Sequence, residues 1–351
     1  MALCVKHQAF PNCDKKRILN IYTVEKKHSN SISCQQKLYV KKGCYILHLD
    51  SQARIEQRSI FSIHPNSFLS FREGFIAKKI GPGELHFYQM YKEQCFKVFP
   101  QEFVPEVFGI IYIKSIKPNK NGYREVLFDF DPSLIIDANL TDYDWPPMLL
   151  QKDISAGFEK PTSIDIKLGT RSWTLGAPQE RIQKTQRNNK NSVGNIIKFH
   201  IRAAVWYYNS TTFKNYNKLN NDLNGKITKN DEVVFINKHF GKTCSIDQMV
   251  LVLKDIFKYP QLKSLMLEKI QKMKDSLIIF REQFDIRFYG SSLFFVYDDQ
   301  NPNKFDVRLI DFEKSFFDIK KKSKAFNETL ENCEDGIIEA IENLCNIFKS
   351  L

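Results

Sequence analysis

No stretch of this 351-residue chain approaches the roughly 18 consecutive apolar residues that a membrane-spanning helix needs. The first ten residues, MALCVKHQAF, carry charge early and have no apolar centre, so a secretory leader is not expected. The eight cysteines form no C-x-x-C pair, which excludes a disulfide framework or zinc ribbon and points to a reducing compartment, cytoplasmic and/or nuclear. Cys4, Cys13, Cys34 and Cys44 lie among His7, His28 and His48, but at spacings that fit no common zinc finger. Also missing are internal repeats, a G-x-G-x-x-G phosphate loop and a His-Arg-Asp catalytic loop.

The charge, in contrast, is one-sided. A formal net charge of +12 calls for an anionic partner, and 42% hydrophobic residues with 13% aromatics describe a folded chain. The basic residues are not interleaved with aromatics and no RNA-binding signature is present, so no specific nucleic acid is expected.

Chemistry-bearing residues concentrate in two places. In Pro161-Thr162-Ser163-Ile164-Asp165-Ile166-Lys167-Leu168-Gly169, three aliphatic side chains fall on one face of a period-two pattern. Asp165 and Lys167 share the other face, and Gly169 permits a sharp exit. Ser291 to Asp298 reads as a buried strand, residues 299–304 as a turn and Asp306 to Phe312 as a second strand. That hairpin puts the Asp311 carboxylate at a strand end.

Elsewhere, Phe75 to Ile80 reads as a strand closed by Gly81-Pro82-Gly83. A helix with Leu85, Tyr88, Tyr91, Cys95 and Phe99 on one face should follow. A strand is expected around Val126 to Phe130, a strand and hinge over Met148 to Ile154, a basic stretch from Gln179 to Lys190 and a strand from Ile196 to Tyr208. Residues 209–230 read as loop with a short strand or turn. Ser245 and Gln248 make a capping box for a helix burying Ile246, Met249, Val250, Leu253, Ile256 and Phe257. A long helix starts near Gln261, and a last one carries Ile337, Ile341, Leu344, Cys345 and Phe348. Lys320 to Lys324 is the one dense charge run.

In this order, the segments resemble the inositol polyphosphate kinase family. Its P-x-x-x-D-x-K-x-G signature is matched by Pro161, Asp165, Lys167 and Gly169. Its S-S-L-x-x-x-Y-D element is matched by Ser291, Ser292, Leu293, Tyr297 and Asp298, and its I-D-F element by Ile310, Asp311 and Phe312. The likeness reaches from about Phe75 to the C-terminus. Through Gly169-Thr170-Arg171 it is similar to the multikinase and hexakisphosphate kinase branches.

The resemblance implies an α+β, two-lobed kinase-like fold of the ATP-grasp/protein-kinase-like type. A small β-rich N-lobe would span residues 61–150, a larger α+β C-lobe residues 151–351, and residues 1–60 would be an extension or early N-lobe strands. It implies a monomer transferring the γ-phosphoryl group of Mg-ATP to a phosphorylated inositol. Asp165, Lys167 and Asp311 would be catalytic, with Asp311 holding Mg2+. Lys78, Asp153, Ser291 and Ser292 would bind nucleotide; strand neighbours face opposite ways, so Lys79 would point away. Lys167, Arg171, Arg181, Lys184, Arg187 and Lys314 would bind the acceptor. Against the family pattern, Glu313-Lys314 replaces Ala-His, and Lys198 and Ala203 stand where the family has glycine. Asp335, Gly336 and Leu344 are what survives of its C-terminal motif. These departures keep two alternatives open: a catalytically impaired family member, or a basic polyanion- or RNA-binding protein.

Overall fold

The computed structural model describes residues 45–48, 68–118, 124–136, 145–189, 192–207, 227–230, 233–236 and 238–351. The four N-terminal cysteines, most of residues 1–60 and most of the expected loop at 209–230 lie outside them.

Two six-stranded sheets carry the chain. The first takes β1 (Tyr45–His48), β2 (Phe68–Phe71), β3 (Phe75–Lys79), β4 (Val107–Pro118), β5 (Arg124–Asp131) and β6 (Met148–Lys152), in the order β1-β5-β4-β6-β3-β2. Its pairings are antiparallel. β4 is buried on both faces. Ile110 and Tyr112 join the main core, whereas Ile111 and Ile113 close a second core with Phe71, Ala77, Val126, Phe128, Met148 and Leu150. Between β3 and β4 runs α1 (Pro82–Met90), extended through Cys95 by a wider π-helical turn. Leu85, Tyr88, Tyr91, Cys95 and Phe99 are all buried, as their spacing predicts.

The second sheet is built from β7 (Pro161–Leu168), β8 (Phe199–Tyr207), β9 (Ile227–Asn230), β10 (Val233–Ile236), β12 (Ser292–Asp298) and β13 (Asn301–Ile310). Its order is β13-β12-β7-β8-β10-β9, which places β7 centrally. β11 (Arg287–Phe288) pairs with β14 (Ser315–Phe316) beside it. The connections hold α2 (Gln179–Asn189), α3 (Val193–Ile197), α4 (Lys238–Thr243), α5 (Ile246–Ile256), α6 (Pro260–Phe284), α7 (Ile319–Ala325) and α8 (Ile337–Ser350). The capping box on α5 is formed in both directions, Ser245 accepting from the Gln248 N–H and Gln248 from the Ser245 N–H. No described helix is long and apolar enough to cross a membrane.

Three local expectations need correction. The turn read over residues 299–304 is only Asp299-Gln300, because β13 starts at Asn301 and absorbs three residues in a bulge opposite Tyr297/Asp298. Residues 196 and 197 belong to α3, so β8 starts at Phe199. Ile246 is exposed at the first turn of α5, and Val252 fills the buried stripe in its place.

Candidate active site

β7 places the reactive face. Ile164, Ile166 and Leu168 enter the main core, which leaves Asp165 and Lys167 on the opposite side. On the neighbouring strand, Ala203 pairs with Asp165 and Ile201 with Ile166, so Arg202 is the extra, unpaired residue of a bulge. The bulge switches the core-facing parity of β8 from Phe199 and Ile201 to Ala204 and Trp206, and re-aims Arg202.

Arg202 reaches two carboxylates with one nitrogen. Its Nη1 lies 2.5 Å from Asp311 Oδ2 and 3.4 Å from Asp165 Oδ2. Lys78, from β3 of the other sheet, donates to Asp311 Oδ1 at 2.7 Å and to Glu84 Oε1 at 2.9 Å. Its neighbour Lys79 is exposed. Lys78 from β3 and Arg202 from β8 thus meet at Asp311, at the end of β13.

Asp311 itself is held in an unusual backbone state. Its φ is 65°, a left-handed conformation that L-residues rarely adopt, and the Ser291 hydroxyl donates to its carbonyl at 2.8 Å. Ser291, just ahead of β12, therefore helps hold the Asp311 backbone in place. Burial works against ionising Asp311, but Lys78 and Arg202 outweigh it and hold the carboxyl well below its usual range. Asp165 goes the other way: burial pushes it up to about 6, with Arg202 opposing and Asp311 reinforcing the rise. Its Oδ1 is buried without a hydrogen-bond partner.

Lys167 opens onto a second feature, a cavity of about 220 Å³ whose lining contains no carboxylate and no apolar side chain. Lys167, Thr170, Thr185, Asn195, His200 and Lys242 contribute to it. Burial lowers Lys167 to about 8, helped by the positive charges of Arg202 and Lys314. Burial, Lys167, Lys242 and Arg202 push His200 down to about 4. Repulsion among these basic groups thus adds to burial in disfavouring their protonation.

The other residues singled out from the sequence divide into several groups. Lys314 donates to the Ser172 carbonyl at 2.6 Å, beside the cavity, and burial, together with Arg181 of α2, depresses its pKa. Lys184 and Arg187 are exposed on α2, where Lys184 and Thr185 share the Arg181 face. Arg171 is different. It is buried, paired with Glu328 at 2.8 Å, bound to three backbone carbonyls and stacked 4.4 Å from the Tyr289 ring. Its guanidinium ties the loop after β7 to residues 328–332. Asp153 is also buried, its carboxylate accepting from the Ser155 N–H at 2.9 Å and hydroxyl at 2.8 Å. Ser292 is fully buried, its hydroxyl close enough to Asp165 to favour that carboxyl's charged form.

Several motif residues hold the frame. Asp298 accepts from the N–H groups of Glu159 and Lys160, fixing the entry to β7, and the Tyr297 hydroxyl donates to the Ile256 carbonyl. Asp335 accepts from the Phe288 and Ile337 N–H groups, and its carbonyl lies where a side chain on Gly169 (φ 74°) would go. Lys198, at a family glycine position, is left-handed at φ 64°.

Glu84, Arg202 and Glu313 were not assigned from the sequence. Glu313 has a definite place: its carboxylate accepts from the Glu84 N–H at 3.2 Å, capping α1, whose own N-cap Gly81 has no side chain. A β-carbon on Gly81 would strike that carboxylate, and one on Gly83 would strike the Glu313 backbone carbonyl. Gly83→Ala, which meets fixed backbone, is therefore expected to lower stability by about 1–3 kcal/mol, and Gly81→Ala, which displaces only the end of a side chain and its cap, by less. In urea denaturation, adding Glu313→Ala should relieve the loss for Gly81→Ala but not for Gly83→Ala. Equal relief of both would mean that Glu313 does not occupy this position.

Comparison with known proteins gives one family. Residues 148–349 match the inositol polyphosphate kinase family. Mouse inositol hexakisphosphate kinase 3 is 23% identical over 58% of this chain and 50% of its own length. The yeast (Saccharomyces cerevisiae) inositol polyphosphate multikinase is 24% identical over 47% of this chain and 46% of its own length. The chain therefore spans about half the length of the curated relatives it matches. The fold is similar to that of the inositol phosphate multikinase Ipk2 from S. cerevisiae, crystallised with ADP and Mn2+. The TM-score is 0.53 at 19% identity, covering 79% of this chain and 98% of that one.

Proposed function

Since this chain belongs to the inositol polyphosphate kinase family, we propose that it transfers the γ-phosphoryl group of Mg-ATP to a hydroxyl or phosphate of a phosphorylated inositol. The observation that carries this reading is the junction at Lys167. On one side, two cations from different sheets converge on one carboxylate; on the other lies a cavity lined by cations and hydroxyls with no acid. The two sheets would form the small and large lobes of a kinase-like fold, with the Lys78–Asp311–Arg202 cluster between them.

Phosphoryl transfer requires alignment of donor and acceptor and positive charge where the moving group spreads its negative charge. Lys78, kept fully protonated by Asp311 and Glu84, would bind donor phosphates. Arg202 would lie over the transferring group, positioned by Asp165 from behind. Lys167 stands between this cluster and the cavity, and would contact the transferred group or an acceptor phosphate. The acceptor's attacking oxygen forms a bond to the γ-phosphorus as the bond to the ADP oxygen breaks, and a hydroxyl acceptor would release its proton to solvent.

The donor set fits magnesium. Mg2+ takes one or two carboxylates and fills its shell with water and substrate phosphates. Asp311 and the unpartnered Oδ1 of Asp165 supply that number, flanking one nitrogen of Arg202. No group of three or more acidic, histidine or cysteine residues suited to a metal exists among the described residues, so the ion would arrive with the nucleotide. Held there by Asp311 and Asp165, it would supply positive charge that offsets the charge of the phosphates.

Chromatography of products from labelled ATP and a panel of inositol phosphates tests the proposal. Label in an inositol phosphate or pyrophosphate is expected. Tight inositol hexakisphosphate binding without label transfer would make the chain a polyanion-binding protein instead.

A pH profile gives a second test. Lys167 titrates near 8, so kcat/KM for the acceptor is expected to fall as pH rises through about 8, when the ammonium is lost. Arginine stays charged across this range, so Lys167→Arg should remove the alkaline limb. An unmoved limb would assign it to another group.

A further inference from the structure

The charges of α7 do nothing for the stability of that helix. Its exposed Lys320, Lys321 and Lys324 have no carboxylate partner among the described residues, whereas on α6 Lys269, Lys272 and Lys274 are each ion-paired. Lys320 and Lys324 stand one turn apart as like charges, and Lys320 and Lys321 lie in the first turn, at the positive end of the helix dipole. What holds α7 is apolar and backbone contact. Ile319 and Ser323 are buried, and the Ile319 and Lys320 N–H groups donate to Asp285. Directly beyond the helix, Phe326 and Leu330 leave 48% and 46% of their surfaces in solvent. Glu328 is committed to Arg171, and Glu334 to Arg281 and Arg287, so Asp318 and Glu331 are outnumbered by the four lysines of α7.

We propose that α7 and the turn after it dock the protein on an anionic membrane surface. The lysines would meet the charged lipid headgroups, while Phe326 and Leu330 would enter the interfacial layer. Exposed cations next to exposed apolar side chains carry this choice of partner. A nucleic acid would take up the lysines and stack on Phe326, but it offers nothing to Leu330. Lysine, a hydrated point charge on a flexible stem, suits a fluid layer of headgroups. Arginine, which suits fixed phosphates through bidentate contact, does not occur after Arg308. The docking is peripheral, since no described helix is long and apolar enough to cross a membrane. It goes beyond the kinase reading and does not depend on it.

The test is flotation of the full chain with vesicles of phosphatidylcholine alone and of phosphatidylcholine with about 30% phosphatidylserine. Binding is expected to the anionic vesicles only, and to weaken as salt is raised. One lysine at an anionic surface contributes about fivefold in affinity, so the triple variant Lys320→Gln, Lys321→Gln, Lys324→Gln should lose on the order of 100-fold. Leu330→Ser should weaken binding to the same vesicles by about threefold or more. Thermal melts of the triple variant should match or exceed those of the wild type, because removing the lysines relieves like-charge repulsion. A structural role for the lysines would lower them.

Anionic vesicles binding the triple variant as well as the wild type would overturn the proposal and move the contact to other cations, those exposed on α2 first. Tighter binding of a poly(U) oligonucleotide than of vesicles through the same lysines would overturn it in favour of nucleic acid. Docking and catalysis separate cleanly. Lys320, Lys321 and Lys324 neither line the cavity nor touch Asp311, so the triple variant should phosphorylate a soluble inositol phosphate at the wild-type rate. Vesicle binding lost with that rate intact supports docking alone; a wild type that docks but transfers no label would overturn the kinase and leave the docking face.

Discussion

Asp311→Asn is expected to abolish turnover, by about 10²–10³-fold or more, while the chain stays folded. The replacement keeps the size of the side chain and removes its charge. Asparagine tolerates the left-handed region better than most residues, so the φ of 65° adds little strain, whereas alanine would add a backbone penalty. The cations are not abandoned either. Lys78 keeps Glu84 and Arg202 keeps Asp165. A cost of about 1–3 kcal/mol is expected, below that of a fully buried unpaired charge, because Asp311 is one quarter exposed.

Linkage gives this variant a second signature. The Asp311 pKa is depressed in the folded state, so its contribution to stability is present above the unfolded carboxyl value near 4 and disappears as pH falls through the folded value. Wild type and Asp311→Asn should therefore converge in stability under acid. Initial rates at saturating magnesium with parallel thermal melts check both effects. Near-normal turnover at low magnesium would remove Asp311 from the metal site.

Much of this site was legible because its chemistry is local. The period-two run Ile164 to Leu168 declares a strand whose faces differ, and Ser245 with Gln248 declares a helix start. Arg202 was harder. The run Phe199 to Tyr207 alternates well enough to read as a plain strand, and the bulge that singles out Arg202 depends on how β7 pairs across it. The contacts of Arg171 were out of view for the same kind of reason: its partner Glu328 is 157 residues away, and nothing near Arg171 announces it. Glu84 reads as an ordinary acid in a helix's first turn until β3 brings Lys78 alongside. The hairpin turn was misplaced because the polar run 299–304 signals a loop, whereas the bulge keeps Asn301 to Lys304 in the ladder. Glu313 was visible only as a departure, since its role lies at the start of α1, 229 residues earlier.

The second large effect is expected from Lys78→Met. Loss of the one cation from the first sheet should lower kcat/KM for ATP by about 10²–10³-fold, since Lys78 joins the two halves of the cluster. Stability should fall too. Glu84 is buried, and Lys78 is its one ion-pair partner among the described residues. Breaking a buried pair from one side costs about 3–5 kcal/mol, less whatever protonation recovers. The sign of the pH response follows. Burial already raises the Glu84 pKa in the wild type, and removing Lys78 raises it further. The folded variant then binds a proton that the unfolded chain releases above its carboxyl value near 4, so its stability should rise as pH falls through the raised folded value towards the unfolded one. Adding Glu84→Gln removes the buried charge while retaining side-chain volume, so the double variant should regain most of the stability and lose its pH response. It should not regain activity, because the cation that meets the donor phosphates is still missing. If the double variant recovered turnover, Lys78 would be a structural partner of Glu84 and the donor phosphates would be held elsewhere, with Arg202 the first cation to examine.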